Sequence, residues 1–556
     1  MNVGEALIQT FVQEGVKVGS GISGGSTRNI ANAVYRNLRL CYARHERGAV
    51  DIADGYGRVS GVPAVVFADS GPAVGNTMAG IIQAFGDSTP LIFVAAKEPR
   101  VQLGRRGYKE IPVREIFGPV TRWTAGIEHP SQVAEIARRA FTFLRCGRPG
   151  PIVIELPVDV SSAPVDDFHY ERVPQRIRWA GDPAEIERAV QLLASAQRPY
   201  LYVGAGVLFS EASDELVKFA ELLSIPVGTT LNGKSAFPED HPLSLGISGY
   251  PRATYSSLHA AEYARSADVV LTIGCGFKEH ALREQYEHPV KLIQVDVDPT
   301  EINKLSLAEV PIVGDARLVL RQLCDAAESN LPGSKLGMRE DVLRQVADGR
   351  AEWMELSRPQ LTSDEKPINP FRVTWEVNRL VDPKETIVLH DAGSTRGSTC
   401  QHIVSTTPRG FLGMGVQSAM GWSLGAAIGA KLAAPEKLVI PFIGDQAFGE
   451  VAMELETATR NEVPILVLLN NNAGVPEDHS RLPHISMVKQ YAVGGDYTAL
   501  ARALGAEALR IEDPSALEPG LKQAIQTVKG GRTMLVEVVT RRAPTTLFPL
   551  EGGGGE

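Results

Sequence analysis

Runs of consecutive apolar residues alternate along this chain with longer segments whose apolar positions recur at helical spacing. Ten runs stand out: AVVFAD (64–69), PLIFVAA (90–96), PIVIELP (151–157), YLYVGAG (200–206), DVVLTIG (268–274), KLIQVDV (291–297), TIVLHDAG (386–393), LVIPFIGD (438–445), PILVLLNNN (464–472) and MLVEVV (534–539). They are rich in Val, Ile and Leu and closed by Gly, Asp or Asn, so each predicts a strand buried on both faces. Strands of this kind separated by helices predict parallel sheets in an α/β fold. The runs form three groups. The polar, Pro-containing segment 161–182 parts the first from the second. A poorer stretch from about 329 to 370, holding a charged helical piece (338–356) and the linker-like SDEKPINP, parts the second from the third. The pattern therefore predicts three doubly wound parallel-sheet domains near 1–165, 183–330 and 368–545, with 546–556 as a flexible tail or lid. A length of 556 residues suits three cores better than one.

Composition narrows the class. Hydrophobic residues at 44% and charged residues at 22% are those of an ordinary globular protein. A net charge of −9 without a long basic run argues against nucleic acid as partner. The five cysteines (Cys41, Cys146, Cys275, Cys324, Cys400) are odd in number, scattered and without a CxxC pair, which argues against a disulfide framework and a structural zinc site. The segment MNVGEALIQTFVQEGV carries Glu5 and Glu14 in an amphipathic pattern without a basic n-region, and no apolar stretch approaches bilayer-spanning length. The expectation is a cytoplasmic protein, free of membranes, acting on a small molecule.

In open parallel sheets ligands sit at the carboxyl ends of strands. One run ends in Gly444-Asp445, and the next in Asn470-Asn471-Asn472 followed by Ala473-Gly474. A carboxylate and amide oxygens on neighbouring strand ends form an oxygen-only set, which suits Mg²⁺ sharing its remaining positions with phosphate. A helix cap and an Asn-rich turn account for the same residues without a metal.

The whole stretch, GDQAFGEVAMELETATRNEVPILVLLNNNAG, resembles the diphosphate and metal motif of thiamine-diphosphate (ThDP) enzymes. The resemblance implies that Asp445, the Asn472 side chain and the Gly474 carbonyl hold Mg²⁺, with Gly444, Gln446 and Ala447 beside the cofactor. Gln446 stands where the family signature has Gly, and the GD-x-AFG and NNN wording is similar to 2-hydroxyacyl-CoA lyases and oxalyl-CoA decarboxylases. ARHERGAVDIADGYGRVSG (43–61) resembles the family's activating-glutamate motif and implies that Glu46 hydrogen-bonds aminopyrimidine N1′, so that the 4′-nitrogen removes the C2 proton. A solvated glutamate and a core methionine are the plain readings of Glu46 and of Met420 taken alone. GMGVQSAMGWSLGAAIGAK (413–431) resembles the segment that bends the cofactor, with Met420 under the rings and Ser418 near the aminopyrimidine. The turn Gly393-Ser394-Thr395 would meet the diphosphate through backbone N–H groups. The same resemblance implies a homodimer or homotetramer, because glutamate and diphosphate site come from different subunits.

Around the reacting carbon, SGPAVGN resembles the family's SGPG-x-x-N turn with Ala73 in place of Gly, and RRGYKEI places Tyr108-Lys109 where relatives have an aromatic residue followed by Gln or Glu. Lys109 facing the thiazolium would favour an anionic substrate; as a solvated loop lysine it would do nothing. His479, His484 and Glu477 touch substrate or cap a loop. The central segments resemble the superfamily's middle domain, which binds FAD in acetolactate synthases, ADP in oxalyl-CoA decarboxylases and nothing in other relatives; FKEH (277–280) replaces the FDDR of typical acetolactate synthases. The implied activity is making or breaking a C–C bond beside a carbonyl through an enamine. Acetolactate-synthase-like reaction of 2-oxo acids is the broadest expectation, and an acyl-CoA substrate for a 2-hydroxyacyl-CoA lyase or oxalyl-CoA decarboxylase is the alternative. A silent ThDP- or nucleotide-binding subunit has no need of Glu46, and an unrelated α/β protein would require every motif spacing to be accidental.

Overall fold

The structure is a computed structural model that describes residues 1–174, 176–249, 255–277, 286, 288–474 and 493–542. The expectations placed on Glu477, His479, His484, on 278–280 and on the tail 546–556 lie outside the described residues.

Three six-stranded sheets, parallel throughout, follow one another along the chain. The first holds β1 (Val18–Ile22), β2 (Arg39–Tyr42), β3 (Ala64–Ala68), β4 (Leu91–Lys97), β5 (Trp123–Gly126) and β6 (Pro151–Pro157), in the order β2-β1-β3-β4-β6-β5. The second holds β7 (Pro199–Val203), β8 (Val227–Thr229), β9 (Ser244–Ile247), β10 (Val269–Ile273), β11 (Lys291–Asp296) and β12 (Val310–Val313), in the order β12-β11-β10-β7-β8-β9. The third holds β13 (Thr386–His390), β14 (Phe411–Gly413), β15 (Leu438–Gly444), β16 (Leu466–Asn471), β17 (Glu507–Ile511) and β18 (Met534–Val539), in the order β14-β13-β15-β16-β18-β17. The expected class, α/β with three doubly wound parallel sheets, is what the chain adopts.

The first and third sheets share one strand order, and the middle sheet, read from β9, has the 3-2-1-4-5-6 order of dinucleotide-binding folds. The outer sheets turn back once more at their β6-β5 and β18-β17 edges, and within the sheets the order reverses between β1 and β3, between β7 and β10, and between β13 and β15. A crevice opens there because the connections leave to opposite faces, and the residues just after those strands are the ones free to meet a ligand.

Two helices weld the first and third units together. Glu46–Ser60 and Trp422–Ala433 are buried almost all round, and glycines let their backbones touch. A Cβ on Gly55 would lie 2.0 Å from the Ala426 carbonyl oxygen, and one on Gly429 would lie 1.9 Å from that of Ile52. Their side chains join one core with Leu389, Ile443 and Leu469 of the third sheet and Val66 and Phe93 of the first. The ionised groups in this core are paired, as burial requires. Arg58 bonds Asp54 at 2.7 Å and Asp87 at 2.7 Å, and Trp422 donates its indole N–H to Asp54 at 2.8 Å. Asp87 also accepts from Asn232 of the middle unit (2.8 Å) and from the Gly415 N–H (3.0 Å), so one carboxylate ties all three units. No helix among the described residues is long and apolar enough to cross a membrane.

Candidate active site

At the β13/β15 crevice the strand β15 delivers Asp445, 3% exposed, onto the helix Asp445–Val451. One carboxylate oxygen accepts the Gln446 N–H at 2.8 Å; the other, Oδ2, is buried and completes no hydrogen bond. Burial pushes this carboxyl above the usual carboxylate range, and the backbone N–H groups of Gln446, Gly474, Asn472 and Ala473 partly offset that. The chain after β16 curls back over Asp445 because Ala473 (φ 61°) and Gly474 (φ 88°) both take left-handed backbone. Asn472 Oδ1 accepts the Gly474 N–H at 3.1 Å within that turn. Asn471 is drawn the other way, donating to Glu537 Oε1 at 2.8 Å, which Arg510 also contacts at 2.8 Å. Across the crevice Gly393 (φ 72°) caps the helix Ser394–His402, with open space where a Cβ would stand, as at Gly444. Thr395 spends its hydroxyl on the Ala392 carbonyl (2.9 Å), leaving the backbone of this turn to face a ligand.

An orphaned buried carboxylate oxygen, an amide and carbonyls on a tight turn, and two glycines that leave room fit a hard cation carrying a diphosphate. Among the described residues no group of three or more His, Cys, Asp or Glu gathers, so a thiolate or imidazole metal site finds no support.

Met420 stands on the neighbouring turn, half-buried against the shared core. Ser418 before it takes φ 51° and accepts a hydrogen bond from the Arg396 guanidinium, and the Ala419 N–H is held by Gln83 at 3.0 Å. Arg47 reaches the Met420 carbonyl, so the turn bearing Met420 and the start of the helix bearing Glu46 lie side by side in one chain. Glu46 begins the helix Glu46–Ser60 after His45, whose ring accepts the Arg47 N–H at 3.1 Å as an N-cap. One Glu46 oxygen accepts from the Asn76 amide at 3.0 Å; the carboxylate is partly exposed.

The third cluster sits where β1 and β3 part. Lys109, in left-handed backbone (φ 60°), lies against Gly71 of the SGP turn and bonds Asp69 at 2.5 Å. Burial alone would raise the Asp69 carboxyl, but the Lys109 ammonium and the Ser26 N–H outweigh it and hold it below the ordinary value. Ser70 donates to Glu98 at 2.5 Å. The Tyr108 ring is 76% exposed and has the Lys109 ammonium 5.2 Å from its centroid.

A cavity of 660 Å³ opens at the β7/β10 crevice, lined by Gly204 and Gly274 at the strand ends, Asp296, and Arg148, Asn232 and Val416 from all three units. Gly204 and Gly206 are forced: a Cβ on either would strike the 274–275 backbone at 2.1–2.6 Å.

Four residues that shape these sites were not among the site residues expected from the sequence. Asp391 follows TIVLH at a strand end and could have been flagged by position; Asn76 closes SGPAVGN; Glu454 and Glu537 sit inside a helix and a strand with nothing local to mark them.

Three family models match the chain in order. Residues 1–116 match the family model "Thiamine pyrophosphate enzyme, N-terminal TPP binding domain", 186–323 the central domain and 391–538 the C-terminal TPP binding domain. The chain is similar to the probable acetolactate synthase large subunit of Methanocaldococcus jannaschii, 34% identical over 100% of this chain and 94% of that one. It is also similar to acetolactate synthase isozyme 3 large subunit (29%, 99% and 96%) and glyoxylate carboligase (28%, 98% and 93%) of Escherichia coli. With three domain models matched in order and a relative above 30% identity along its full length, the chain belongs to the thiamine pyrophosphate enzymes, as a thiamine-diphosphate-dependent enzyme of the decarboxylase and carboligase type.

Proposed function

We propose that this enzyme decarboxylates a 2-oxo acid and joins the resulting acyl unit to a second carbonyl, as an acetolactate synthase does. The observation that carries the reading is the site around Asp445, whose unpartnered buried oxygen faces an Asn472–Gly474 turn beside an open Gly393 cradle. The full-length similarity to proteins named acetolactate synthase supports the choice of 2-oxo acids. Asp445, Asn472 and the Gly474 carbonyl hold Mg²⁺; the backbone of Gly393, Ser394 and Thr395 and of Gly444, Gln446 and Ala447 receives the diphosphate. When bound, thiamine diphosphate supplies a nucleophilic carbon and accepts the electron pair released as carbon dioxide leaves. Glu46 would hold a proton at N1′, Met420 would support the rings, and the Ser418 backbone would meet the aminopyrimidine. Lys109, kept charged by Asp69, faces the substrate carboxylate, with Tyr108 at the mouth.

The partly exposed Glu46 and the exposed Val416 near the Met420 turn support a second copy of the chain completing each site, in a homodimer or homotetramer. The 660 Å³ cavity and the strand order of the middle sheet support FAD or ADP there. Gln446 and the Asn470–Asn472 run favour one alternative, a 2-hydroxyacyl-CoA lyase or oxalyl-CoA decarboxylase.

The test is CO₂ release from pyruvate with ThDP and Mg²⁺, beside Glu46→Ala and Asp445→Ala. Release lost in Glu46→Ala, and ThDP affinity lowered by at least about 100-fold in Asp445→Ala or after chelation, is the expected result. A protein that binds ThDP and Mg²⁺ yet releases no CO₂ from any 2-oxo acid overturns the substrate, and 2-hydroxyacyl-CoA cleavage is then assayed. A protein that binds neither overturns the site assignment.

A further inference from the structure

The helix that bears Glu46 starts where a residue of the diphosphate-binding unit tells it to start. Glu454, 2% exposed, opens the helix Glu454–Arg460 of the C-terminal unit, far from Glu46 in sequence. Its Oε1 accepts the backbone N–H of His45 at 2.9 Å and that of Arg44 at 3.2 Å, the two residues immediately before Glu46. Its Oε2 is held by the Thr457 hydroxyl at 2.7 Å, so the carboxylate has one orientation. The fit is tight on the other side too: a Cβ on Gly48 would lie 2.2 Å from Oε1, which gives the Gly of HERGA a physical reason. The N–H groups at a helix start lack intrahelical partners, and a carboxylate that binds the two just ahead of it fixes both the first residue of the helix and the direction of its side chain.

We propose that Glu454 is a positioning residue for Glu46: through the Arg44 and His45 amides it sets the carboxylate that activates the cofactor, and so links the two cofactor-binding units within one chain. The proposal rests on the assignment of Glu46 made above. Asn76 fixes the tip of the Glu46 side chain and Glu454 fixes its base, and neither alone determines where the free oxygen points.

The experiment compares the full-length wild type with Glu454→Gln, Thr457→Val, Glu46→Gln and the Glu46→Gln/Glu454→Gln pair. Glu456→Gln is the control, since Glu456 lies on the same helix and nears Arg44 only through its side chain, at 3.8 Å. Hydrogen–deuterium exchange of the apo protein over the peptide spanning Arg44 and His45 reads the contact itself. ThDP affinity in the presence of Mg²⁺ and the rate of C2 proton exchange of bound ThDP read its consequence. Glu454→Gln is expected to lose at least tenfold of amide protection at 44–45 and to slow C2 exchange at least tenfold. Its ThDP dissociation constant stays within threefold of wild type, because the metal and diphosphate groups are untouched. The double variant exchanges C2 no more slowly than Glu46→Gln alone, since the two residues act through one carboxylate. Thr457→Val shifts both readouts the same way by about threefold and serves if Glu454→Gln does not fold; Glu456→Gln shifts neither. Unchanged C2 exchange in a variant whose 44–45 amides have lost protection overturns the proposal, as do multiplicative losses in the double variant. A wild type that does not bind ThDP overturns the enzyme reading instead, and the amide protection then still reports whether Glu454 holds the turn.

Discussion

Asp391 accepts the N–H of Gly421 at 2.9 Å and that of Ser423 at 3.0 Å, so a fully buried carboxylate at the end of β13 fixes the turn on which Met420 stands. The same residue that ends the strand before the Gly393 cradle thus also sets the support proposed for the cofactor rings. In Asp391→Ala three backbone N–H groups, with that of Ala392, lose their acceptor, at about 1–3 kcal/mol for each left unsatisfied. We expect a fall in denaturation midpoint together with at least tenfold weaker ThDP binding, read by chemical unfolding and calorimetry.

Gly429→Ala places a methyl carbon 1.9 Å from the Ile52 carbonyl between two helices with no slack. Overpacking of backbone against backbone costs about 3 kcal/mol or more here. Gly449, by contrast, has nothing within 4 Å of a would-be Cβ and lies in a helix, so Gly449→Ala is neutral or stabilising by up to about 1 kcal/mol. Thermal unfolding of the pair separates close packing from helix propensity.

Burial pushes the Asp296 carboxyl in the central cavity up to about 6, with Glu301 and Asp298 adding to the effect, against the Asp298 N–H and Arg148. The folded protein therefore holds this proton to higher pH than the unfolded chain does. Its contribution to stability is complete below about pH 4 and is lost as pH rises through 6. Asp296→Asn is expected to be more stable than wild type by up to about 3 kcal/mol at pH 7.5 and equal to it at pH 4. Unfolding midpoints across that range, without added nucleotide, test the sign.

Lys109→Gln removes the ammonium beside Asp69 and leaves a neutral polar side chain one atom shorter. The expected outcome is a KM for the 2-oxo acid raised about tenfold, with kcat and ThDP affinity changed by less than threefold, because the cation orients an anionic substrate and touches neither metal nor diphosphate. Steady-state kinetics with pyruvate and with a neutral aldehyde acceptor distinguish a charge effect from a loop rearrangement.

The hydrophobic pattern marks ten strands, all of them inner strands of the three sheets, because a strand buried on both faces is apolar at most positions. It passes over all six edge strands, β2, β5, β9, β12, β14 and β17, which are short or carry polar residues. It also passes over two inner ones. In β1, VGSGI, a Cβ on Gly19 would strike Val34 at 2.4 Å and one on Gly21 would strike the Phe67 carbonyl at 2.3 Å, so a buried strand is built from residues that carry no hydrophobic signal. β8 has three residues.

By itself the sequence determined the fold class and the enzyme family, since runs of Val, Ile and Leu, the GD…NNN spacing and HERGA are local features that survive without coordinates. Only the tertiary structure decided how those features are held. Glu454 against the Arg44 and His45 amides, Asp391 beneath the Met420 turn, Asp87 between three units and Lys109 paired with Asp69 each join segments that the chain brings together by folding. A carboxylate in a linear sequence looks alike whether it faces water or a buried amide. What separates the two is the partner, and the partner is chosen by the packing of elements tens to hundreds of residues apart.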